Sequence, residues 1–196
     1  MNRLNRRAVL QEVLRERGDL IIVAGLGAPA YDLASLGNQP LDFPLWGAMG
    51  GASMIGLGLA LAQPQRKILV VTGDGEMLMG LGSLATIAAQ HPPNLRIVVM
   101  DNERFGETGH QRTHTAMRTD LAAVASACGI DHAYIVRHEA ELGRLRQDIH
   151  HLDELVFAVV KVSPEDQPRV LPPRDGAYLT HRLRQALLGP QQALEA

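Results

Sequence analysis

Lys67-Ile-Leu-Val-Val-Thr72 runs into Gly73-Asp74-Gly75, and Leu95-Arg-Ile-Val-Val-Met100 runs into Asp101-Asn102. Both runs are apolar and β-branched without alternation, the pattern of strands covered on both faces of a parallel sheet. Gly73 and Gly75 let the backbone turn tightly and end the first strand. Between the runs, residues 76–90 (EMLMGLGSLATIAAQ) have helical apolar spacing, and His91-Pro92-Pro93 ends them. Strand, turn, helix and strand thus place Asp74 and Asn102 at the carboxyl ends of neighbouring strands, the edge where open α/β sheets bind ligands.

The alternation continues outward. Before this unit the sequence predicts a helix at about 4–17, a strand at 20–24, a helix at 29–36, an extended piece at 42–46 and a helix at 50–62. After it come a long loop at 102–118, a helix at 119–128, a strand at 132–136, a helix at 138–151 and a strand at 155–161. The expected class is α/β, a mainly parallel sheet with helices on both faces, formed by residues 1–162. Residues 163–196 form a second segment: a proline-rich loop (SPEDQPRVLPPRDG), a helix at about 177–188 and a frayed end at 189–196.

With 196 residues, 46% apolar and 20% charged, the chain is the size of one domain and can bury a sizeable core. A net charge of −2 with scattered basic residues argues against nucleic acid or an anionic membrane as partner. Arg3, Arg6, Arg7, Arg15 and Arg17 alternate with acids on the opening helix and read as a solvated face. The lone Cys128, in a small-residue helix, excludes an internal disulfide, fits a reducing cytoplasm and reads as packing. There is no secretory apolar core and no run of the ~20 apolar residues that a membrane span needs. The expected location is therefore cytoplasmic.

Asp74 and Asn102 suit a magnesium ion carrying a diphosphate. Mg²⁺ takes oxygen ligands in near-octahedral geometry, using one or two carboxylate-type groups together with substrate phosphates. Asp74 supplies charge and Asn102 a neutral carbonyl oxygen. Amides at the start of the following helix point at the phosphates.

This series resembles the thiamine diphosphate motif, and residues 45–60 (LWGAMGGASMIGLGLA) are similar to the segment that precedes it in 2-oxo acid decarboxylases. The resemblance covers about residues 1–162 and points to the sulfopyruvate and phosphonopyruvate decarboxylases, notably the small β subunit of the former. There a stretch like DN…GSTGNQPT follows the second strand. Here residues 101–113 read DNERFGETGHQRT and depart at Glu107, His110 and Arg112, so the resemblance does not carry the substrate over.

The resemblance implies thiamine diphosphate and Mg²⁺ as cofactors, with Asp74 and Asn102 as side-chain metal ligands and Arg104 as a ligand through its carbonyl. It implies that Gly73, Gly75 and Glu76 border the diphosphate, with the amides of Gly75 and Glu76 facing it. It makes Met49 the apolar wedge under the folded cofactor and gives the Gly47 carbonyl to the aminopyrimidine. It also implies a partner, a pyrimidine-binding-domain subunit that supplies a catalytic glutamate, and hence a hetero-oligomer, with self-association when the partner is missing. The expected reaction is decarboxylation of a small 2-oxo acid. A carboligase subunit like acetolactate synthase and a non-catalytic cofactor-binding subunit are the alternatives. His110, Arg112 and His114, on the polar loop after the second strand, are candidates for facing a substrate anion.

One rival reading comes from Gly25-Leu-Gly27-Ala-Pro-Ala30, which fits the dinucleotide fingerprint after the strand at 20–24. It needs an acid ending the next strand. Asp42 is the nearest, in a proline-containing stretch that makes a poor central strand.

Overall fold

The computed structural model describes residues 3–194. Its sheet contains β1 (Ile21–Ala24), β2 (Asp42–Pro44), β3 (Ile68–Gly73), β4 (Leu95–Asp101), β7 (His132–Val136) and β8 (Val156–Lys161), in the spatial order β2-β1-β3-β4-β8-β7. Every pairing in it is parallel. A separate two-stranded hairpin, β5 (Arg104–Phe105) with β6 (Gln111–Arg112), lies in the loop after β4.

Because both faces are covered, each strand sends alternate side chains into two cores. Ile21, Val23, Ile68, Val70, Ile97, Val99, Phe157 and Val159 meet α3 (Ala52–Ala62), α5 (Ser83–Gln90), α6 (Leu121–Ala127) and Leu183 of α8 (Gly176–Gln192) on one side. Ile22, Ala24, Leu69, Val71, Val98, Met100, Ala158 and Val160 meet α1 (Arg6–Val13), α2 (Ala28–Ala34) and α7 (Leu142–His150) on the other. The α/β reading with helices on both faces holds.

Five local expectations need correction, the last of them at the carboxyl-terminal end. The helix at 76–90 is two helices, α4 (Asp74–Met79) and α5, because the chain breaks at Gly80-Leu81-Gly82. The break lets Gly80 lie against the backbone of Gly50, where a Cβ would sit 2.1 Å from the Gly50 carbonyl oxygen. Loop 102–118 is ordered by the hairpin and by single 3-10 turns at Gly106–Thr108 and His114–Ala116. The extended piece at 42–46 is a true strand, but an edge strand, where Pro44 costs no ladder bond.

The fourth correction concerns the arginines. The opening helix spans only Arg6–Val13, and Arg6 is buried against Asp32 at 2.5 Å, with Arg7 on the other carboxylate oxygen at 2.8 Å. Arg17 pairs with the buried Asp42 at 2.7 Å. Those cations tie α1 and its following turn to α2 and β2. A solvated face describes Arg15, whose partner is Glu12 on the same helix.

The proline-rich segment lies against α1, Tyr31 of α2 and Trp46. Arg7 donates to the Pro168 carbonyl, Trp46 Nε1 to the Pro173 carbonyl at 2.7 Å, and Arg174 stacks 5.4 Å from the Trp46 ring. It leads into α8, which continues to Gln192 through a kink at Gly189-Pro190, so residues up to 192 of the stretch expected to fray are helical. Residues 195–196 of that stretch lie outside the described residues. Among the described residues no helix is long and apolar enough to cross a membrane.

Candidate functional site

Strand β3 ends at Gly73, which is paired with Met100 of β4, so Asp74 leaves the sheet beside Asp101 and Asn102. The three residues converge because two adjacent parallel strands end in register. A cleft of about 250 Å³ opens over this edge. Met49, Gly73, Asp74, Gly75, Glu76, Asn102 and Arg104 all line it. Gly47 does not line it, nor do His110, Arg112 and His114. The last three lie on or beside the hairpin, where His110 Nε2 faces Asp166 at 3.4 Å and Arg112 donates to the Ala116 carbonyl.

Asp74 is buried at the first turn of α4. Its Oδ2 accepts from Thr113 Oγ1 at 2.6 Å and lies 3.2 Å from Thr115 Oγ1. Thr115 Oγ1 also donates toward Asp101 Oδ1 at 2.8 Å, and Lys161 Nζ holds Asp101 Oδ2 at 2.6 Å. Burial, reinforced by the nearby Asp101 charge, pushes the Asp74 carboxyl up to about 6, while the two threonine hydroxyls oppose the shift. Asn102 Oδ1 accepts from the Arg104 amide at 2.9 Å, which fixes the carboxamide and turns the chain at the strand exit.

Glu76 follows on α4 and is buried. Its Oε2 accepts from Thr72 Oγ1 at 2.8 Å, and the backbone amides of Gly50 and Ala52 lie close to the carboxyl. Burial raises its pKa, and the Thr72 hydroxyl opposes the rise. Gly25 makes room for this carboxyl, since a Cβ there would fall 1.7 Å from Oε2. Gly75 makes room for Phe105 in the same sense, since a Cβ there would fall 2.7 Å from the ring's Cδ1. α4 thus presents a short helix start and the buried carboxylates of Asp74 and Glu76 to the cleft.

These residues fit a magnesium diphosphate. Asp74 Oδ1 accepts no hydrogen bond from another described residue, whereas Oδ2 is occupied from behind. Among the described residues no cluster of three or more His, Cys, Asp or Glu could hold a metal; at the strand ends Asp74 offers a carboxylate oxygen, Asn102 a carboxamide oxygen and the backbone its carbonyls. That is a hard, oxygen-only set of low charge, which suits Mg²⁺ completed by phosphate oxygens.

The sequence pattern of the family described as "Thiamine pyrophosphate enzyme, C-terminal TPP binding domain" matches residues 26–162. The chain belongs to this thiamine pyrophosphate enzyme family. It is 39% identical over 161 residues to the sulfopyruvate decarboxylase subunit beta of Methanothermobacter thermautotrophicus, covering 82% of this chain and 83% of that one. The subunit beta of Methanocaldococcus jannaschii is 41% identical over 124 residues, covering 63% and 65%. The phosphonopyruvate decarboxylase of Streptomyces viridochromogenes is 44% identical over 128 residues, covering 65% of this chain and 32% of that protein. The fold is similar to that of benzoylformate decarboxylase from Polynucleobacter necessarius, with a TM-score of 0.68 at 21% identity over 84% of this chain and 34% of that one.

Family membership replaces the dinucleotide reading. Gly25 makes room for Glu76 and Gly27 for Glu107, and Asp42 is held by Arg17 and the Gln39 amide. Several residues at the site were not anticipated from sequence. Thr113, Thr115, Asp101 and Lys161 form the support behind Asp74, and Arg6 with Asp32 closes the far end of the cleft. Only the loop's position after a ligand strand pointed toward the threonines.

Proposed function

We propose that this chain is the diphosphate- and magnesium-binding subunit of a two-chain decarboxylase acting on a small 2-oxo acid that carries a second anionic group, such as a sulfonate or phosphonate. The observation that carries the reading is the convergence of Asp74, Asn102 and Met49 in one cleft at the carboxyl ends of β3 and β4. The subunit-beta and phosphonopyruvate decarboxylase names of the relatives support the substrate class. The lone thiol of Cys128 supports a reducing, cytoplasmic setting.

In this reading Asp74, Asn102 and the Arg104 carbonyl hold Mg²⁺. Gly73 allows close approach, the amides of Gly75 and Glu76 face the diphosphate, Met49 lies beneath the cofactor, and the Gly47 carbonyl receives the aminopyrimidine. When bound, thiamine diphosphate supplies a nucleophilic carbon and an electron sink for the loss of CO₂. The residues of this chain orient it and keep the cleft dry. The glutamate that activates the aminopyrimidine comes from a separate pyrimidine-binding subunit, and His110, Arg112 and His114 meet an incoming anion from on or beside the hairpin, outside the lining of the cleft.

Two measurements test the reading. Thiamine diphosphate with Mg²⁺ should raise the melting temperature and NAD(P) should not, since a ligand specific to the folded state adds about 2.7 kcal/mol at a hundredfold excess over its Kd. Decarboxylation of a panel of 2-oxo acids should appear only when the partner subunit is co-expressed. Robust turnover by this polypeptide alone would sink the two-chain assignment.

A further inference from the structure

We propose a second ligand site on this chain, a pocket at the carboxyl ends of β4, β8 and β7 in which Arg118 and Arg137 hold a small phosphate-type oxyanion. No residue lines both this pocket and the cleft over Asp74, so the site goes beyond the cofactor reading and does not depend on it.

The topology opens the pocket. From β4 the chain passes to α6 on one face of the sheet, whereas from β7 it passes to α7 on the other, and β8 lies between those two strands. Connections that diverge to opposite faces leave a crevice outside the carboxyl ends of the strands, and open α/β sheets bind ligands in such crevices. Here the crevice is a cavity of about 150 Å³. That is below the roughly 300–1,000 Å³ of pockets that take a drug-sized molecule, so the occupant is a single head group and not a nucleotide.

The side chains set the charge of the occupant. Arg118, Arg137 and Lys161 line the cavity, with Asp101 and Asp120 as its acids. Both acids are already engaged: Lys161 Nζ holds Asp101 Oδ2 at 2.6 Å, Thr115 Oγ1 lies 2.8 Å from Asp101 Oδ1, and Asp120 Oδ1 accepts from the Ala123 amide at 3.0 Å. The arginines are different. Their backbone amides are fixed, Arg118 on the His114 carbonyl at 3.2 Å and Arg137 on Glu141 Oε2 at 2.8 Å, but among the described residues their guanidinium groups have no hydrogen-bond or ion-pair partner. Arg6, Arg7 and Arg17, by contrast, are each matched by an aspartate.

A guanidinium stays charged at every physiological pH, and its planar fork fits two oxygens of a phosphate at once. Two unmatched forks beside one strand-end cavity therefore leave a cation surplus that a small oxyanion would neutralise. Thr119, on the same lining, adds a hydroxyl able to donate to a third oxygen. Met117 and Ile135 supply apolar wall against which the carbon of a phosphate ester can rest.

The test is titration calorimetry of the full chain with inorganic phosphate and with methyl phosphate, at constant ionic strength in chloride. Arg118→Gln and Arg137→Gln should each weaken binding of both probes about tenfold, the effect of losing one hydrogen bond to a charged group. Arg118→Lys and Arg137→Lys, which keep the charge and lose the fork, should fall between wild type and the glutamine variants. Arg66→Gln, which removes the same charge at the amino edge, should leave the affinity unchanged. Tighter binding of methyl phosphate than of inorganic phosphate would identify a phosphate ester as the ligand, and the reverse order would identify the free ion. No saturable binding by the wild type, affinity retained in both glutamine variants, or an equal loss in Arg66→Gln would overturn the site and leave the cofactor assignment standing.

Discussion

At the amino edge of the sheet, Asn94 Nδ2 reaches the carbonyls of Ala60, Gln63 and Arg66 at 3.0, 3.1 and 2.9 Å; at the carboxyl edge, Asp74 Oδ1 accepts nothing from other described residues. The amino edge also buries Arg96, which donates to the carbonyls of Pro93 and Leu152 and leaves only its Nε unmatched, and Lys67 donates to the His150 carbonyl at 2.8 Å. There buried cations and amides meet neutral carbonyls, and the polarity is consumed in holding turns together. At the carboxyl edge buried acids face other acids and a cleft, with hydroxyls and one lysine as their support. Satisfied polarity marks structure, and unsatisfied acceptors at a cleft mark a place for a cation.

The largest effect should come from the carboxyl edge. Asp74→Ala should weaken Mg²⁺-dependent binding of thiamine diphosphate by more than about a hundredfold, above the 10–100-fold typical of outer-shell partners, with far-UV circular dichroism unchanged. Full cofactor affinity in that variant, with Mg²⁺ present, would break the contrast between the edges. The counterpart at the amino edge is Asn94→Ala. Leaving three carbonyls without their donor should cost about 2–3 kcal/mol in denaturant unfolding, at roughly 1 kcal/mol per bond, and leave cofactor affinity in the folded fraction intact.

A smaller effect concerns pH. The Asp74 carboxyl titrates at about 6, raised first by burial and then by Asp101. A raised carboxyl favours the protonated folded chain, so its contribution to ligand-free stability is complete below the ordinary carboxylate range and disappears as pH rises through about 6. Cation binding needs the ionised form and runs the other way. Mg²⁺ affinity by titration calorimetry should fall about tenfold between pH 7 and pH 5, while the melting temperature without ligand does not fall on account of this group. Smallest of all, Asp153→Ala, which removes the exposed partner 3.1 Å from Lys67, should change unfolding free energy by about 0.5 kcal/mol or less. A larger loss would mean that amino-edge surface charge matters more than this comparison allows.

The strands were legible where the chain had no competing period. Residues 132–136 were expected as a strand and form His132–Val136, and the apolar runs leading to Asp74 and Asn102 place both residues at the cleft. The break in helix 76–90 was not legible, because apolar spacing continues through Gly80 while the reason for the break, the backbone of Gly50, lies elsewhere in sequence. The same holds for Arg6 and Asp32, which belong to different helices, and for Thr113 and Thr115, which are 39 and 41 residues from Asp74. Sequence periodicity reports which face of an element is buried. It does not report what closes over a polar group from another part of the fold.

The pairing of β4 with β8 has a consequence for how the chain reaches this state. Val98 pairs with Val71 of β3 on one side and finds its other neighbour at Ala158, and Leu4, near the start of the described chain, bridges to Val162. During synthesis β1, β2, β3 and β4 can associate as they emerge, yet β4 keeps one edge bare until the entire stretch up to β8 has followed it. A largely apolar strand edge held open in this way is a template for another copy of itself. Such distant closure is slow because loop entropy is lost before contact is gained. Synthesis of this chain therefore passes through a vulnerable interval, which ends when residues 156–162 dock.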